Sequence, residues 1–207
     1  MQTETVDGWL EELASQNPTP GGGAAAAMNA AVGAALVSMV CNLTIGRPRY
    51  AQYEPELTAA LAEAEELRRQ ALGLAAEDAA AFETVIAAYQ LPKADDAEKQ
   101  LRTAAIQEAL LGATDVPLRI AALAAAVIGL TRRILAGANS NVISDVAVAA
   151  SSARAALEAA VVNVEVNLAS MTDPQRHNAV RARLAPYPAA AAEADAVVAE
   201  VRGRIAR

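Results

Sequence analysis

Apolar residues recur at helical spacing along nearly the whole chain. Val6, Trp9, Leu10 and Leu13 follow the i, i+3, i+4, i+7 pattern of a short amphipathic helix. Residues 24–44 then form a stretch that is apolar on all sides, which predicts a central and fully buried helix. A glycine and a proline follow this stretch and should end it.

The other predicted helices are long. Three of them cover about residues 54–89, 143–171 and 189–204, and a fourth covers about 96–135, where Pro117 should kink the helix or divide it in two. The inner face of the 54–89 helix alternates steps of four and three residues, which is the spacing of a helical bundle. That face consists of Leu57, Leu61, Ala64, Arg68, Ala71, Ala75, Asp78, Phe82, Val85 and Tyr89.

Composition supports an all-α fold. Of the 207 residues 54% are hydrophobic but only 3% are aromatic, and alanine dominates. No alternating run of β-branched and aromatic residues suits a strand. We find no internal repeat and no domain boundary, so the prediction is a single-domain up-and-down bundle of long helices over residues 1–207.

Charge and the N-terminus limit the partners and the compartment. The net charge is −7, which argues against a nucleic-acid partner. Residues 24–43 are long enough to span a membrane, but alanine contributes little to insertion and Asn29, Ser38 and Asn42 interrupt the stretch. We therefore favour a buried helix and no membrane. Residues 1–7 lack the basic and apolar regions of a signal peptide, so we expect a cytoplasmic protein.

Residues 17–24 read Asn-Pro-Thr-Pro-Gly-Gly-Gly-Ala. The prolines disfavour helix before them, and Gly21, Gly22 and Gly23 allow close approach of another group to the backbone. The helix that follows begins with unpaired N–H groups, which suit an anionic group or a carbonyl. The alternative is a tight turn that lets two helices pack closely, and the sequence leaves both readings open.

Asp78 is a carboxylate on an apolar helix face. Its neighbours three and four positions away are Leu74, Ala75, Ala81 and Phe82. Burial should raise the pKa of such a carboxyl and suit it to general acid–base catalysis. On position alone, an ion pair with an arginine of another helix is somewhat favoured over catalysis.

Two further sets of residues are candidates. Arg47 and Arg49 lie in a predicted loop and are either solvated or available to an anionic ligand. A second helix face is small or polar throughout, and it either admits another helix or lines a pocket. Its first member also lies in the first turn, where a carboxylate can cap the helix. We find no metal-ligand cluster. The face consists of Asp145, Ala149, Ser152, Ala156, Ala160, Asn163 and Asn167.

Six short motifs, in order, resemble the cyclodeaminase/cyclohydrolase family, which includes the cyclodeaminase domain of formiminotransferase-cyclodeaminase and stand-alone methenyltetrahydrofolate cyclohydrolases. Each motif alone is weak, but together they extend over essentially the whole chain. They are Pro18-Thr-Pro-Gly-Gly-Gly23, Leu43-Thr-Ile-Gly46 with Tyr50, Glu77-Asp78-Ala-Ala-Ala-Phe82, Leu91-Pro-Lys93, Asn139-Ser-Asn-Val-Ile-Ser-Asp145 and Asn163-Val-Glu-Val-Asn-Leu168.

The resemblance implies an all-helical homodimer that acts on one-carbon adducts of tetrahydrofolate. Family members either hydrolyse 5,10-methenyltetrahydrofolate to 10-formyltetrahydrofolate or close 5-formiminotetrahydrofolate with release of ammonia. The family's catalytic aspartate matches Asp78, which reverses the preference for an ion pair. Asp145 is the second catalytic candidate, expected to orient substrate or cap its helix. The tetrahydrofolate derivative is the substrate, and no permanently bound cofactor is expected.

The substrate is expected to be a folate, with or without a polyglutamate tail. We expect the glycine turn to face the folate groove, with at least one cation at its mouth to hold the anionic tail. The expected substrate-binding residues are Gly21, Gly22, Gly23, Arg47, Arg49, Lys93, Asn139, Asn141 and Asn163.

The chain departs from the family pattern at three places. Ala24 stands where serine usually follows the glycines, Ala138 stands where glycine is usual, and Gly46-Arg47-Pro48-Arg49 replaces a Gly-Lys-Lys segment. The sequence carries no formiminotransferase domain, which favours a cyclohydrolase. The alternatives are a formiminotetrahydrofolate cyclodeaminase and a non-catalytic or repurposed binding protein of the same fold, the latter supported only by Ala24.

Overall fold

A computed structural model describes residues 5–207; residues 1–4, on which part of the signal-peptide argument rests, lie outside this range. The described residues form helices and connecting turns, and no strand occurs among them. The helices are α1 (Val6–Leu13), α2 (Gly22–Asn42), α3 (Glu54–Tyr89), α4 (Asp96–Ile134), α5 (Ile143–Ser170), α6 (Pro174–Leu184) and α7 (Tyr187–Ile205), with short 3-10 helices at Pro48–Tyr53 and Ser140–Val142.

Helices α2 to α5 form an antiparallel bundle, and α7 packs on α4 and α5. Contacts across the bundle fix the directions. Arg102, near the start of α4, donates to the carbonyl of Tyr89 at the end of α3, and Gln107 of α4 donates to the carbonyl of Ser170 at the end of α5. The helical-bundle prediction is therefore confirmed.

Helix α2 is the centre of the bundle. It packs on α3, α4 and α5. It contains no aromatic residue, and Leu, Met and Val are its largest apolar side chains. A Cβ at Gly33 would lie 3.1 Å from the carbonyl oxygen of Ala149 and 3.3 Å from the nitrogen of Ala153, so α2 and α5 pack almost backbone to backbone. The prediction of a buried central helix is confirmed.

Two helices, α2 and α4, are long and apolar enough to cross a membrane by length and composition. Their most apolar 18-residue windows have mean hydropathies of 1.8 and 1.6. In each window 61% of the residues are buried inside the protein, as in the core helix of a folded domain.

Helix α3 matches its predicted limits, but its inner face is not buried throughout. Leu57, Ala64, Ala71 and Ala75 are buried, whereas the side chain of Phe82 is 43% exposed and that of Tyr89 is 47% exposed. The apolar stripe therefore leaves the core in the last third of the helix, where α3 borders a cavity and a groove described below.

The helices differ from the prediction at two places. Of the two outcomes considered at Pro117, a kink or a division, the division is wrong, because α4 runs without interruption through this residue. Helix α6 was not predicted, because its residues are mostly polar and carry no apolar stripe. Its start is nevertheless encoded: Pro174 occupies the first turn, and the Asp173 side chain accepts hydrogen bonds from the N–H groups of Gln175 and Arg176.

Candidate active site

Asp78 of α3 lies against the first turn of α2. A Cβ built on Gly23 would overlap the Asp78 carboxylate, so only glycine allows the two helices to meet in this way. Burial raises the pKa of the Asp78 carboxyl above its ordinary value of 3.8, and a hydrogen bond from the Ala24 N–H acts in the opposite direction. The carboxyl is thus half-buried and held by the start of a helix.

The ion pair considered for Asp78 is not formed. No lysine or arginine among residues 5–207 makes a salt bridge with it. Its neighbour Glu77 pairs with Arg119 at 2.5 Å instead, outside the cavity. Asp78 is therefore available to a ligand, and its pKa is shifted in the direction that suits proton transfer.

A cavity of about 210 Å³ opens beside Asp78. All four bundle helices and the glycine turn contribute to its wall, because the start of α2, the later part of α3, the middle of α4 and the end of α5 meet here. Besides Asp78 the lining includes Gly21, Gly22, Phe82, Pro117, Asn163 and Asn167. The structure thus brings together the glycine turn, Asp78 and Asn163, three of the candidates named in the sequence analysis.

Two asparagine side chains of α5 complete the polar lining. The amide nitrogen of Asn163 donates to the carbonyl of Ala159 at 2.8 Å, and that of Asn167 donates to the carbonyl of Ala113 at 3.0 Å. Because a backbone carbonyl only accepts, each amide keeps its oxygen for a ligand. Asn167 was noted in the sequence as part of a polar helix face but not as a site residue, although it lies one helical turn after Asn163.

An apolar groove of about 610 Å³ adjoins the cavity. It lies between α3 and α4, and Ala81 and Ala113 line both the groove and the cavity. Thr84 and Leu91 of the α3 side and Ala105 of α4 continue it towards the turn between the two helices, where Lys93 follows. An elongated ligand with an apolar middle could therefore extend from Asp78 along this groove.

Other predicted site residues gather at the opposite end of α2. Helix α2 has 21 residues, so its ends are about 30 Å apart. At the far end Asn139 is buried; its side chain donates to the carbonyl of Leu43 and its backbone N–H donates to the Thr44 hydroxyl. The Arg47 side chain donates to the same Leu43 carbonyl. Asn139 therefore holds the chain together at this end of the bundle.

The predicted single groove is consequently not formed within one chain. Arg47, Arg49, Asn139 and Asn141 lie at the end of α2 that is remote from Asp78. Asp145 lies in the first turn of α5, as its capping interpretation requires, and about 27 Å along that helix from Asn163. Within residues 5–207 no group of three or more acidic, histidine or cysteine side chains could hold a metal ion.

Comparisons with known proteins show the family of this chain. A sequence model of the family described as formiminotransferase-cyclodeaminase matches residues 5–186. A methenyltetrahydrofolate cyclohydrolase of Methylorubrum extorquens is 51% identical over 170 residues, which is 82% of this chain and 82% of that protein. A formimidoyltransferase-cyclodeaminase of Rattus norvegicus is 33% identical over 165 residues, which is 80% of this chain but only 30% of that protein.

A solved structure shares the fold over the full length. It is the crystal structure of a formiminotetrahydrofolate cyclodeaminase from Thermotoga maritima, which is 27% identical to this chain with a TM-score of 0.88. The alignment covers 100% of this chain and 99% of that one.

The contact between Gly23 and Asp78 predicts that Gly23→Ala destabilises the protein, by about 1–3 kcal/mol, since the new methyl group must displace the carboxylate. Gly22→Ala is the matched control in the same helical turn, because its Cβ would lie 3.5 Å from the Asn163 amide nitrogen, which is an ordinary contact. Chemical denaturation measures both. Equal stabilities of the two variants would contradict the described packing.

The raised pKa of Asp78 predicts how stability depends on pH. The folded protein prefers the protonated carboxyl, so the contribution of Asp78 is complete below pH 3.8 and is lost as the pH rises through the folded-state pKa. Asp78→Asn mimics the neutral form. Its melting temperature relative to wild type should therefore be higher at pH 7.5 than at pH 4, whereas Glu83→Gln, an exposed change on the same helix, should show no such trend. An advantage that shrinks with rising pH would refute the assignment.

Proposed function

The chain belongs to the formiminotransferase-cyclodeaminase family, and we propose that it is a methenyltetrahydrofolate cyclohydrolase, which opens 5,10-methenyltetrahydrofolate with water to give 10-formyltetrahydrofolate. It is an enzyme of folate one-carbon metabolism. The observation that carries the mechanism is the unpaired carboxyl of Asp78, held by the start of α2 inside a cavity, and the identity to a cyclohydrolase decides between the two family reactions.

The proposed reaction begins with a cationic substrate, since the methenyl carbon bridges N5 and N10 as a formamidinium. Asp78 in its carboxylate form attracts this cation and accepts a proton from the attacking water as the C–O bond forms. The product of this step is a neutral tetrahedral carbon. Asp78 then returns the proton to N5 as the C–N5 bond breaks, and the hydroxyl group loses its proton to solvent as the formyl C=O forms.

The glycine turn has a separate role in this proposal. The N–H groups of Gly22 and Gly23 lie in the first turn of α2, where no helical carbonyl precedes them. Both residues line the cavity. Because glycine has no Cβ atom, a ligand oxygen can approach these N–H groups closely. We assign them to the hydroxyl oxygen of the tetrahedral carbon, where positive helix-terminal dipoles favour the negative charge that grows as this hydroxyl loses its proton.

The rest of the folate extends, in this proposal, along the groove between α3 and α4. The groove is apolar, which suits the p-aminobenzoyl ring, and it leads towards Lys93 at the turn between the helices. Lys93 is thereby the candidate cation for the glutamate tail, polyglutamylated or not. Arg47 and Arg49 of the same chain are too remote for that role, because they follow the opposite end of α2.

A second candidate function is that of a formiminotetrahydrofolate cyclodeaminase. It is favoured by the Thermotoga maritima structure, whose protein carries that name and shares the complete fold. Both reactions pass through a tetrahedral carbon between N5 and N10 and need a proton donor and acceptor beside it. The 51% identity to a cyclohydrolase leads us to prefer hydrolysis.

The turnover test uses Asp78→Asn. We expect wild-type protein to accelerate the loss of methenyltetrahydrofolate absorbance, corrected for spontaneous hydrolysis, and Asp78→Asn to reduce the rate at least about a hundredfold, the usual scale of proton-transfer catalysis. Glu77→Gln is the matched control, because Glu77 precedes Asp78 but faces Arg119 rather than the cavity. Near-normal turnover by Asp78→Asn would remove it from the mechanism.

The same preparation distinguishes the two reactions. Ammonia release from 5-formiminotetrahydrofolate, with no acceleration of methenyl hydrolysis, would establish the cyclodeaminase and reject the cyclohydrolase. Hydrolysis without ammonia release is the expected result.

We further propose that the protein is a homodimer that associates through the exposed side of α2 and α5. Val32 of α2 and Val148, Val162 and Val166 of α5 are 44–64% exposed, although the two helices otherwise carry the core. A row of exposed valines on neighbouring helices is typical of a surface covered by another chain, and a two-fold dimer would cover the same row on both copies.

The dimer proposal predicts that Val162→Lys shifts sedimentation from dimer to monomer at micromolar concentration, because a charge would be buried at the interface. Leu101→Lys is the control: Leu101 is 71% exposed on α4 and lies outside this row. A wild-type monomer, or equal behaviour of the two variants, would contradict the proposed interface.

The remaining parts of the proposal concern cofactor and compartment. Hydrolysis of a methenyl cation needs only water and a proton acceptor, so the proposed enzyme carries no permanently bound cofactor. We also propose that the enzyme acts in the cytoplasm.

A further inference from the structure

A proline in the middle of α4 removes one hydrogen bond from that helix. Pro117 has no N–H, so the carbonyl of Ala113, four residues earlier, lacks its ordinary helical donor. The helix nevertheless continues through this point to Ile134. A buried or partly buried carbonyl without a donor is unfavourable, so a substitute is expected nearby.

Asn167 supplies the missing donor. Its amide nitrogen lies 3.0 Å from the carbonyl oxygen of Ala113, across the interface between α4 and α5. Ala113, Pro117 and Asn167 all line the cavity that contains Asp78. The replaced hydrogen bond therefore lies in the wall of the site and not elsewhere along α4.

This bond also determines which end of the Asn167 amide is available. A carbonyl only accepts, so the NH2 end must face Ala113, and the oxygen is left for a ligand. No other donor among residues 5–207 reaches that oxygen. If position 117 carried an N–H, the amide would have no such constraint and could turn either end towards the cavity.

We propose that Pro117 is a positioning residue: by depriving the Ala113 carbonyl of its helical donor, it fixes the Asn167 amide with its oxygen presented to an N–H group of the substrate. With the Asn163 oxygen and the Asp78 carboxylate, the cavity then offers three acceptor groups to a ligand. The reduced pterin ring of a tetrahydrofolate carries several N–H groups and matches such a set. The identity of this ligand rests on the proposed function, whereas the coupling of Pro117 to Asn167 does not.

The first test is a double-mutant cycle in melting temperature with Pro117→Ala and Asn167→Leu, measured without ligand. Asn167→Leu leaves the Ala113 carbonyl without a donor in the wild-type background, but Pro117→Ala supplies a backbone N–H to it. We expect the loss of melting temperature caused by Asn167→Leu to fall by at least half when Pro117→Ala is present. Equal losses in the two backgrounds would overturn the proposal.

Asn163→Leu is the matched control for this cycle. Its amide donates to Ala159 of its own helix, and that carbonyl also has an ordinary helical donor, so the effect should be the same with and without Pro117→Ala. A decrease as large as that seen for Asn167→Leu would show a general change of packing and would overturn the specific coupling.

The second test separates positioning from stability. Pro117→Ala should raise KM for methenyltetrahydrofolate about two- to tenfold, the range for one neutral hydrogen bond, with kcat within about twofold of wild type. Pro55→Ala, in the first turn of α3 where no helical bond is missing, should leave KM unchanged. An unchanged KM in Pro117→Ala would overturn the positioning role. If wild-type protein shows no turnover, the proposed function fails, and the melting-temperature cycle alone decides the coupling.

Discussion

The whole arrangement depends on how closely other helices approach the backbone of α2. At Gly33 the backbone of α5 occupies the space that a side chain would need. At Gly23 the Asp78 carboxylate occupies that space. Between these points α2 is largely alanine, so α3, α4 and α5 can all contact it. A larger residue at Gly23 would displace Asp78, and a larger residue at Gly33 would separate α2 from α5. The glycines that open α2 thus allow the close helix packing considered for them, and the same packing places them in the wall of the cavity.

Much of this fold could be predicted from the sequence because alternating apolar positions report helices that face a core. Residues 54–89 were predicted as one helix and form one. Helix α6 could not be found in that way, since it carries hardly any apolar positions and depends on the Asp173 cap. Division of α4 at Pro117, one of the two outcomes considered there, is wrong for a different reason. Local rules break a helix at proline, but Asn167 of another helix satisfies the freed carbonyl, and no local pattern contains that partner.

The sequence singled out several residues that line the cavity, but it predicted their arrangement only in part. Asp78 could be identified because a carboxylate on an apolar face is unusual, and the glycine turn because its composition is. The glycine turn and Asp78 are close because α2 and α3 are antiparallel. The start of α2 therefore lies beside the later part of α3. The same arrangement carries Arg47 and Asn139 to the far end of α2. A sequence gives the order of such residues along the chain but not which end of a bundle each of them reaches.

The position of Ala24 weakens the remaining argument for a protein without activity. Serine is usual there in the family, and a lost hydroxyl could mean a lost substrate contact. In this chain the Ala24 side chain is 1% exposed and is not part of the cavity lining. Residue 24 contributes its backbone N–H to the site, and this group donates to the Asp78 carboxylate. Any residue except proline would provide the same N–H. The departure therefore removes no side chain that lines the cavity in this chain, and the backbone N–H that reaches Asp78 is kept.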